Sequence, residues 1–529
     1  MNTPPASTLI ATVRAFAQRT PTAIAVVCPQ GRFSWADLAG RAERAAAALH
    51  QAGVRRGDRM GLLLANRIEW LELCLGAGAL GAVTVPLSTW STRSELAFLL
   101  ADGGFTLLAT QSQFGDRDFH ADLLALQGSP GFPATLWLLD RDDPSWPSYA
   151  AALATAPALP GDAQVPEAEA ADIDAVVLYT SGSTSAPKAV PLRQRALVTN
   201  GFHIGERQGL TAADRVLLSS PLFWAFGSAN ALPATWTHGA TLVLLEKFDA
   251  GTAIEVIARE ACTAIYTLPA ISSAIGQHPG YSRKRLASLR TGLTIGNEQD
   301  FLAQVEVLGA AELCNIYGAT ETCGNCAVTW HHWPLARRAR CQGPPLPEQE
   351  IRFVDEYNGQ PVPPGTPGLV EVRGFTTTAY QGASAAQNVR AFTADGYYKT
   401  GDMGLCNADG DFVFVGRVGE MIKRAGINVS PAEVESVLRR HAAVLDAAVV
   451  GTPDAARGER IVAFVVPRDG ACLDPAELLR HCAIEASKYK LPDQIVVRSE
   501  LPLTVTGKLQ RRELQRLAAE LGAGRTPTT

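Results

Sequence analysis

The run Ala175–Tyr179 reads AVVLY, apolar without alternation. A strand with one wet face alternates polar and apolar residues, so an unbroken run of this length suits a strand covered on both faces. The texture recurs downstream as VLLSS from Val216, TLVLL from Thr241 and TAIYTL from Thr263, with a helical stretch at Thr252–Glu260. Short buried strands separated by helices require parallel βαβ units, and hence an open α/β sheet sandwiched by helices.

The 529 residues give about three to four core units at ~150 residues each, enough for a sizeable buried core. The first part of the chain alternates a helical stretch, Leu38–Leu49, with a buried strand, Met60–Leu64. Pro144–Asp174, rich in Pro and Ala, reads as a surface connection. Beyond Pro363 short strands and Gly-rich turns suggest a β-rich lobe. After Arg417 the strands AAVVG and IVAFVV and the helices Pro431–Arg440 and Pro475–Glu485 suggest a small mobile α+β domain. The expectation is therefore a large multi-lobed N-terminal body of mixed and parallel sheets over residues 1–416 and a lid over 417–529, with the hinge at Gly416–Gly419.

Charge and apolar content exclude several classes. With 47 basic against 52 acidic residues the formal charge is −5, which argues against a nucleic-acid backbone or an anionic membrane as the main partner. The most apolar stretch, Leu73–Leu87, is too short and too rich in Gly to span a bilayer, and no basic leader precedes an apolar run. Ten scattered cysteines suit reduced thiols and a cytoplasmic location.

Directly after AVVLY comes Thr180-Ser181-Gly182-Ser183-Thr184-Ser185-Ala186-Pro187-Lys188. Small residues with hydroxyl and backbone N–H donors, closed by a lysine, can wrap polyphosphate oxygens. The second glycine and the Lys-Ser/Thr ending of a Walker loop are missing. A formal GxGxxG at Gly76, Gly78 and Gly81 follows a helical run and precedes a strand, the reverse of the dinucleotide fingerprint, so close helix packing is the better reading. Cys323 and Cys326 with His331 and His332 lack the paired spacing of a zinc site.

Several motifs then occur in order: YTSGSTSAPK (179–188), PLFWAFG (221–227), NIYGATE (315–321), GLVEVRG (368–374), YYKTGD (397–402), GRVGEMIKRAGINVSPAEVE (416–435) and LPLTVTGKLQRREL (501–514). Together they resemble the adenylate-forming superfamily of acyl- and aryl-CoA ligases, nonribosomal adenylation domains and firefly luciferase, over nearly the whole chain. The resemblance implies an acid–thiol ligase that joins a carboxylic acid to AMP, releases pyrophosphate, and passes the acyl group to CoA or to a carrier-protein phosphopantetheine. It assigns Thr180, Ser181, Gly182, Ser183, Thr184 and Lys188 to the β- and γ-phosphates of ATP, and Tyr317, in the strand Asn315-Ile316-Tyr317, to adenine, with Gly296-Asn297-Glu298 as the opposite wall. Thr320 would touch the α-phosphate and Glu321 would reach Mg²⁺. Asp402 would take the ribose hydroxyls beside Arg417, and Lys508 would bridge the carboxylate and α-phosphate. The motif around Gly419, Lys423 and Gly426 would form the hinge and thiol tunnel. Taken singly these residues have plainer readings: Tyr317 as a core aromatic, Asp402 as a turn residue, Lys508 as a solvated lysine.

The resemblance places the acid among Trp224, Ala225, Phe226, Gly227, Ser228, Ala229, Thr294, Ile295 and Gly318. Trp224 stands where many such ligases carry a histidine gate. Ala225 stands where amino-acid-activating relatives carry an aspartate for the α-ammonium, and an unpaired ammonium in an apolar pocket costs several kcal/mol. An aryl, alicyclic or otherwise bulky hydrophobic acid is therefore expected. Ser185 and Ala189 replace customary glycines of the phosphate loop, and Gly419 replaces the usual Asp or Lys. Glycine freedom is worth about 0.5–1 kcal/mol, so the hinge shifts a pose equilibrium only two- to five-fold by that route. Loss of a charged contact specific to one pose matters more, and it leads to the expectation that adenylation outpaces thioester formation. The alternatives are a stand-alone adenylating enzyme serving a carrier protein or partner ligase, and a non-catalytic nucleotide-binding paralogue.

Overall fold

A computed structural model describes residues 3–180, 187–382, 385–424, 427–454, 458–486, 490–503 and 509–522. The chain forms two compact units. The first takes Met1–Gly296, Phe301–Ile351 and Val372–Tyr398; the second takes Asn297–Asp300, Arg352–Glu371 and Lys399–Thr529.

Two sheets build the first unit. One runs Lys188–Arg193, Asp174–Thr180, Val83–Pro86, Arg59–Leu63, Phe105–Thr110, Thr135–Leu138, parallel throughout except for its antiparallel first pair. The other has a parallel centre, Cys314–Tyr317, Thr291–Thr294, Ala264–Tyr266, Arg215–Leu218, Thr241–Leu244 and Ile24–Cys28, with an antiparallel strand at each edge. The AVVLY strand is buried from Ala175 to Leu178, as its unbroken apolar run requires. One core joins both sheets through the helices Leu9–Arg19, Trp35–Gln51, Ile68–Ala79 and Leu232–Thr237, with Trp35, Trp70 and Trp236 fully buried.

The helix expected at Leu38–Leu49 begins earlier, at Trp35, because Ser34 and Asp37 form a reciprocal capping box that satisfies two otherwise orphaned backbone donors. Gly76 lies on the helix Ile68–Ala79 against the helix Trp35–Gln51, where a Cβ would stand 2.8 Å from the Ala46 backbone nitrogen. Its neighbour Gly78 faces only the Gln194 side chain, at 3.1 Å. This is close helix packing before a strand, as read from the sequence. The segment 144–174 is more ordered than a bare connection: it holds the helix Tyr149–Thr155, and Tyr149 is buried and donates to the buried Glu72 at 2.8 Å. Composition hid this because two buried aromatics, Trp146 and Tyr149, anchor an otherwise Ala- and Pro-rich stretch.

The second unit holds the sheet Glu350–Val354, Gly368–Arg373, Tyr398–Cys406, Phe412–Arg417, whose first three strands run on into the first unit's segments. It also holds a five-stranded sheet built around Gly458–Pro467, which pairs with Val444–Asp454, Ile422–Arg424 and Gln494–Val497. Alternation along Val444–Asp454 sends Ala447 and Val449 to one core with the helices Pro431–Arg439 and Pro475–Glu485. Ala448 and Val450 go to a second core with Leu514 and Leu517. Among the described residues no helix is long and apolar enough to cross a membrane.

Gly76→Ala is expected to lower unfolding stability by about 1–3 kcal/mol, because backbone must move. Gly78→Ala is expected to be neutral or stabilising by up to about 1 kcal/mol, from helix propensity and a yielding neighbour. Urea denaturation of both variants checks the contrast.

Candidate active site

Thr180 ends one strand and Lys188 begins the next, and the two are direct cross-strand partners. They thus fix both ends of the expected phosphate loop. Ser181, Gly182, Ser183, Thr184 and Ser185 lie outside the described residues, as do Lys508, Gly426 and the side chain of Lys423. Ala189 pairs with Tyr179 in regular antiparallel register, and its φ is not left-handed, so this position makes no demand for glycine.

The motif NIYGATE leaves the sheet at Tyr317 and turns at once. Gly318 admits no side chain, since a Cβ there would stand 2.0 Å from the Gly324 carbonyl oxygen. Thr320–Thr322 then form a single 3₁₀ turn, closed by the Ala319 amide donating to Thr322 Oγ1 at 2.9 Å and by Cys323 in the left-handed region. This turn carries Thr320 and the buried Glu321. Tyr380 Oη donates to Glu321 Oε1 at 2.9 Å, and the Thr377 amide donates to the Glu321 carbonyl at 2.8 Å. The Tyr398 hydroxyl lies 3.5 Å from that of Tyr380. Burial, followed by the Glu321 charge, pushes both phenols up, so both remain protonated donors. The Lys188 ammonium lies over the Tyr380 ring, 4.7 Å from its centroid.

Asn315 is fully buried and acts on the backbone. Its Nδ2 donates to the carbonyls of Gly296 at 3.3 Å and Arg338 at 3.4 Å, and its Oδ1 accepts from the Ile316 amide at 3.0 Å. It therefore ties the end of the Tyr317 strand to the turn expected to face it. At that turn Asn297 Oδ1 accepts from the Asp300 amide at 2.9 Å and caps the helix Glu298–Leu308, so Asn297 and Glu298 open a helix.

The positions expected to bind the acid divide into half-buried and buried ones. A π-helical turn, Phe226–Ala231, follows Trp224, and the Gly227 and Ser228 amides both donate to the Trp224 carbonyl at 3.0 Å. π-turns concentrate at functional sites. Gly227 again admits no Cβ, which would stand 2.6 Å from the Pro221 carbonyl oxygen. Trp224, Ala225 and Phe226 are half-buried, while Ser228 and Ala229 are buried behind them. Thr294 is buried too, its hydroxyl donating to Gln304 Oε1 at 2.5 Å in a network with Ser272 and Thr267. Ile295, next along, is 43 % exposed. Trp90, which the sequence reading passed over, meets Trp224 edge-on at 4.9 Å and Phe223 at 5.4 Å, both at 87°. An aromatic standing alone in the polar run STWSTRS was the available signal.

In the second unit Asp402 and Arg417 are cross-strand partners, and Arg417 Nε donates to Asp402 Oδ1 at 2.8 Å. Asp402 is buried while the Arg417 side chain is 61 % exposed, so the pair presents one oriented carboxylate behind a guanidinium open to solvent. Gly419 sits in the 3₁₀ turn Val418–Glu420; a Cβ there meets nothing within 4 Å and its φ is not left-handed. Neither space nor backbone conformation calls for glycine at this position.

Comparison with known proteins fits this geometry. The family model described as AMP-binding enzyme matches residues 13–379, and that described as AMP-binding enzyme C-terminal domain matches 433–508. An indoleacetate–CoA ligase of Aromatoleum aromaticum is 34% identical over 505 residues, 94% of this chain and 96% of the relative. The crystal structure of the anthranilate CoA ligase AuaEII in complex with anthranoyl-AMP superposes with a TM-score of 0.85 at 26% identity, covering 98% of each chain. ATP-bound MatB from Rhodopseudomonas palustris gives 0.84 at 25% identity, over 97% of this chain and 99% of that one. The chain belongs to the AMP-binding, adenylate-forming enzyme family, in its acyl-CoA ligase branch. Its chemistry is ATP-dependent conversion of a carboxylic acid to an acyl-adenylate, followed by transfer to the thiol of CoA.

Asn315→Ala is expected to cost about 1–3 kcal/mol of stability, because buried carbonyls and an amide lose their partners. It should also raise the ATP KM more than it lowers kcat. Thermal unfolding and pyrophosphate-release kinetics measure the two effects, and an unchanged KM would mean that the Gly296 turn does not face the nucleotide.

Proposed function

We propose that the acid is a bulky hydrophobic one, aryl or alicyclic. The observation that carries this is the half-buried wall Trp224-Ala225-Phe226, with Trp90 packed edge-on against it and Ile295 exposed. No position assigned to the wall bears a charge that would hold an α-ammonium or a second carboxylate. The flat faces of Trp224 and Phe226 suit an aromatic ring, which gains offset or edge contacts beyond area burial. A pyrophosphate-release screen across aromatic, alicyclic, fatty and amino acids tests it. Aryl or alicyclic acids should lead; preference for a short or amino acid would overturn it.

The catalytic roles follow from the charge problem. A carboxylate must attack an anionic phosphorus, so cations and dipoles must stand where negative charge builds. Lys188 and the Thr180–Thr184 loop take the β- and γ-phosphates, Thr320 the α-phosphate, Tyr317 adenine, and Asp402 with Arg417 the ribose. Glu321 offers a hard carboxylate oxygen held by the Tyr380 hydroxyl, and among the described residues no group of three acidic, His or Cys side chains surrounds it. One protein carboxylate plus substrate phosphates is the usual way of holding Mg²⁺, so the donor set fits that ion. Bound there, Mg²⁺ would neutralise phosphate charge. Lys508 bridges the attacking carboxylate and the α-phosphate. Ten free cysteines support a reducing, cytoplasmic setting.

Lys508→Ala is expected to slow adenylation by at least ~100-fold, the worth of one preorganised charge at about 3 kcal/mol, while sparing thioester formation from supplied acyl-adenylate. Single-turnover assays of each half-reaction check this. At Gly416–Gly419 we place the pivot of the 417–529 lid. Because Gly419 answers no steric need, Gly419→Asp should fold normally and raise CoA-thioester yield relative to pyrophosphate exchange. Equal rates of the two half-reactions in the native enzyme would remove the handicap assigned to this glycine. A native enzyme that releases pyrophosphate yet makes no CoA thioester would instead favour delivery of the adenylate to a carrier protein or partner ligase.

A further inference from the structure

Lys188 and Glu321 carry opposite charges and touch the same side chain, yet among the described residues neither forms an ion pair. Tyr380 stands between them. Its ring face carries the Lys188 ammonium at 4.7 Å, and its hydroxyl donates to Glu321 Oε1 at 2.9 Å. Tyr380 is itself buried, stacked at a tilt against Phe392 at 6.0 Å, with Tyr398 behind its hydroxyl at 3.5 Å. The ring is therefore held from its edge and from behind.

Each contact has a property that a salt bridge lacks. The face of an aromatic ring attracts an ammonium without supplying a counter-charge, so all three N–H donors of the lysine stay available to an anion. A phenolic O–H orients a carboxylate without cancelling its charge, so a free lone pair stays available to a cation. Were the ring absent, the flexible lysine stem would allow Lys188 to fold onto Glu321, and each charge would silence the other. We propose that Tyr380 is a positioning residue that holds Lys188 and Glu321 apart and separately aimed, the ammonium on its ring and the carboxylate on its hydroxyl. The role rests on the reading above, in which Lys188 binds phosphate and Glu321 binds Mg²⁺. The position is invisible in the sequence, where Tyr380 ends the run FTTTAY with no periodicity or motif chemistry to mark it.

Calorimetric binding of a nonhydrolysable ATP analogue to the full chain, with Mg²⁺ and with EDTA, tests the proposal on five proteins: native, Tyr380→Phe, Tyr380→Leu, Lys188→Ala and Glu321→Gln. Tyr380→Phe keeps the ring and loses the hydroxyl. Its affinity should fall at least about ten-fold with Mg²⁺, and less than about three-fold in EDTA, as for loss of a group orienting a metal ligand. Tyr380→Leu loses both contacts and should weaken binding in both conditions. Equal losses with and without Mg²⁺ in Tyr380→Phe, or native affinity in both Tyr380 variants while Lys188→Ala and Glu321→Gln bind weakly, overturn the inference alone. Native affinity in Lys188→Ala and Glu321→Gln overturns the phosphate and metal assignments beneath it. Thermal melting of each variant identifies loss of fold, and the conservative Phe variant decides the matter if the Leu variant does not fold.

Discussion

A carboxylate and a polyphosphate repel each other, and an enzyme that joins them must hold compensating charges in place before the substrates meet. Fixed charges need rigid supports, because reorganising them during the reaction would cost much of what they contribute. In the roles proposed for these residues, the supports are sheet ends. Lys188 opens a strand registered against the end of the AVVLY strand, and Glu321 rides a single tight turn that leaves the Tyr317 strand through Gly318 and closes on Cys323. In the second unit Asp402 and Arg417 are set opposite each other by strand pairing alone. Backbone register, fixed by buried apolar strands, thus becomes placement of charge.

Much of this was legible from residue patterns. Unbroken apolar runs announced strands covered on both faces, and the parallel sheets follow from them. The order of helix and strand around Gly76 ruled out a dinucleotide site, and the structure shows the packing that put glycine there. The ordered motifs carried the family because each combines a turn geometry with a chemical group. The resemblance brought Asp402 and Arg417 together as expected ribose contacts, while their direct hydrogen bond was not legible in it.

What the sequence hid depends on contacts between distant segments. Asn315 looked like part of a nucleotide motif, yet its side chain is spent on the Gly296 and Arg338 carbonyls and the Ile316 amide, so it shapes the site through the backbone. Thr294 and Ser228, expected to line the pocket, are buried, their hydroxyls bonded to Gln304 and to the Trp224 carbonyl. Tyr380 carries no local signature, and Trp90 only its isolation in a polar run. Their importance lies in which charge or ring they meet across the fold. Two departures from family pattern also acquire physical content: Ala189 occupies ordinary strand, so its lost glycine is tolerated, whereas Gly419 is a glycine that no steric demand explains. The first leaves no backbone strain at Ala189, and the second directs attention to the charge missing at Gly419.

The central claim is that an oxygen of the acid attacks the α-phosphorus of ATP, and that CoA then cleaves the acyl carbon–oxygen bond. An aryl or alicyclic acid labelled with ¹⁸O in both carboxyl oxygens, turned over with ATP and CoA and followed by mass spectrometry, tests that directly. The account predicts pyrophosphate and AMP as products, one ¹⁸O in the AMP phosphate and one in the thioester carbonyl. Unlabelled AMP, or ADP with labelled inorganic phosphate, would contradict it.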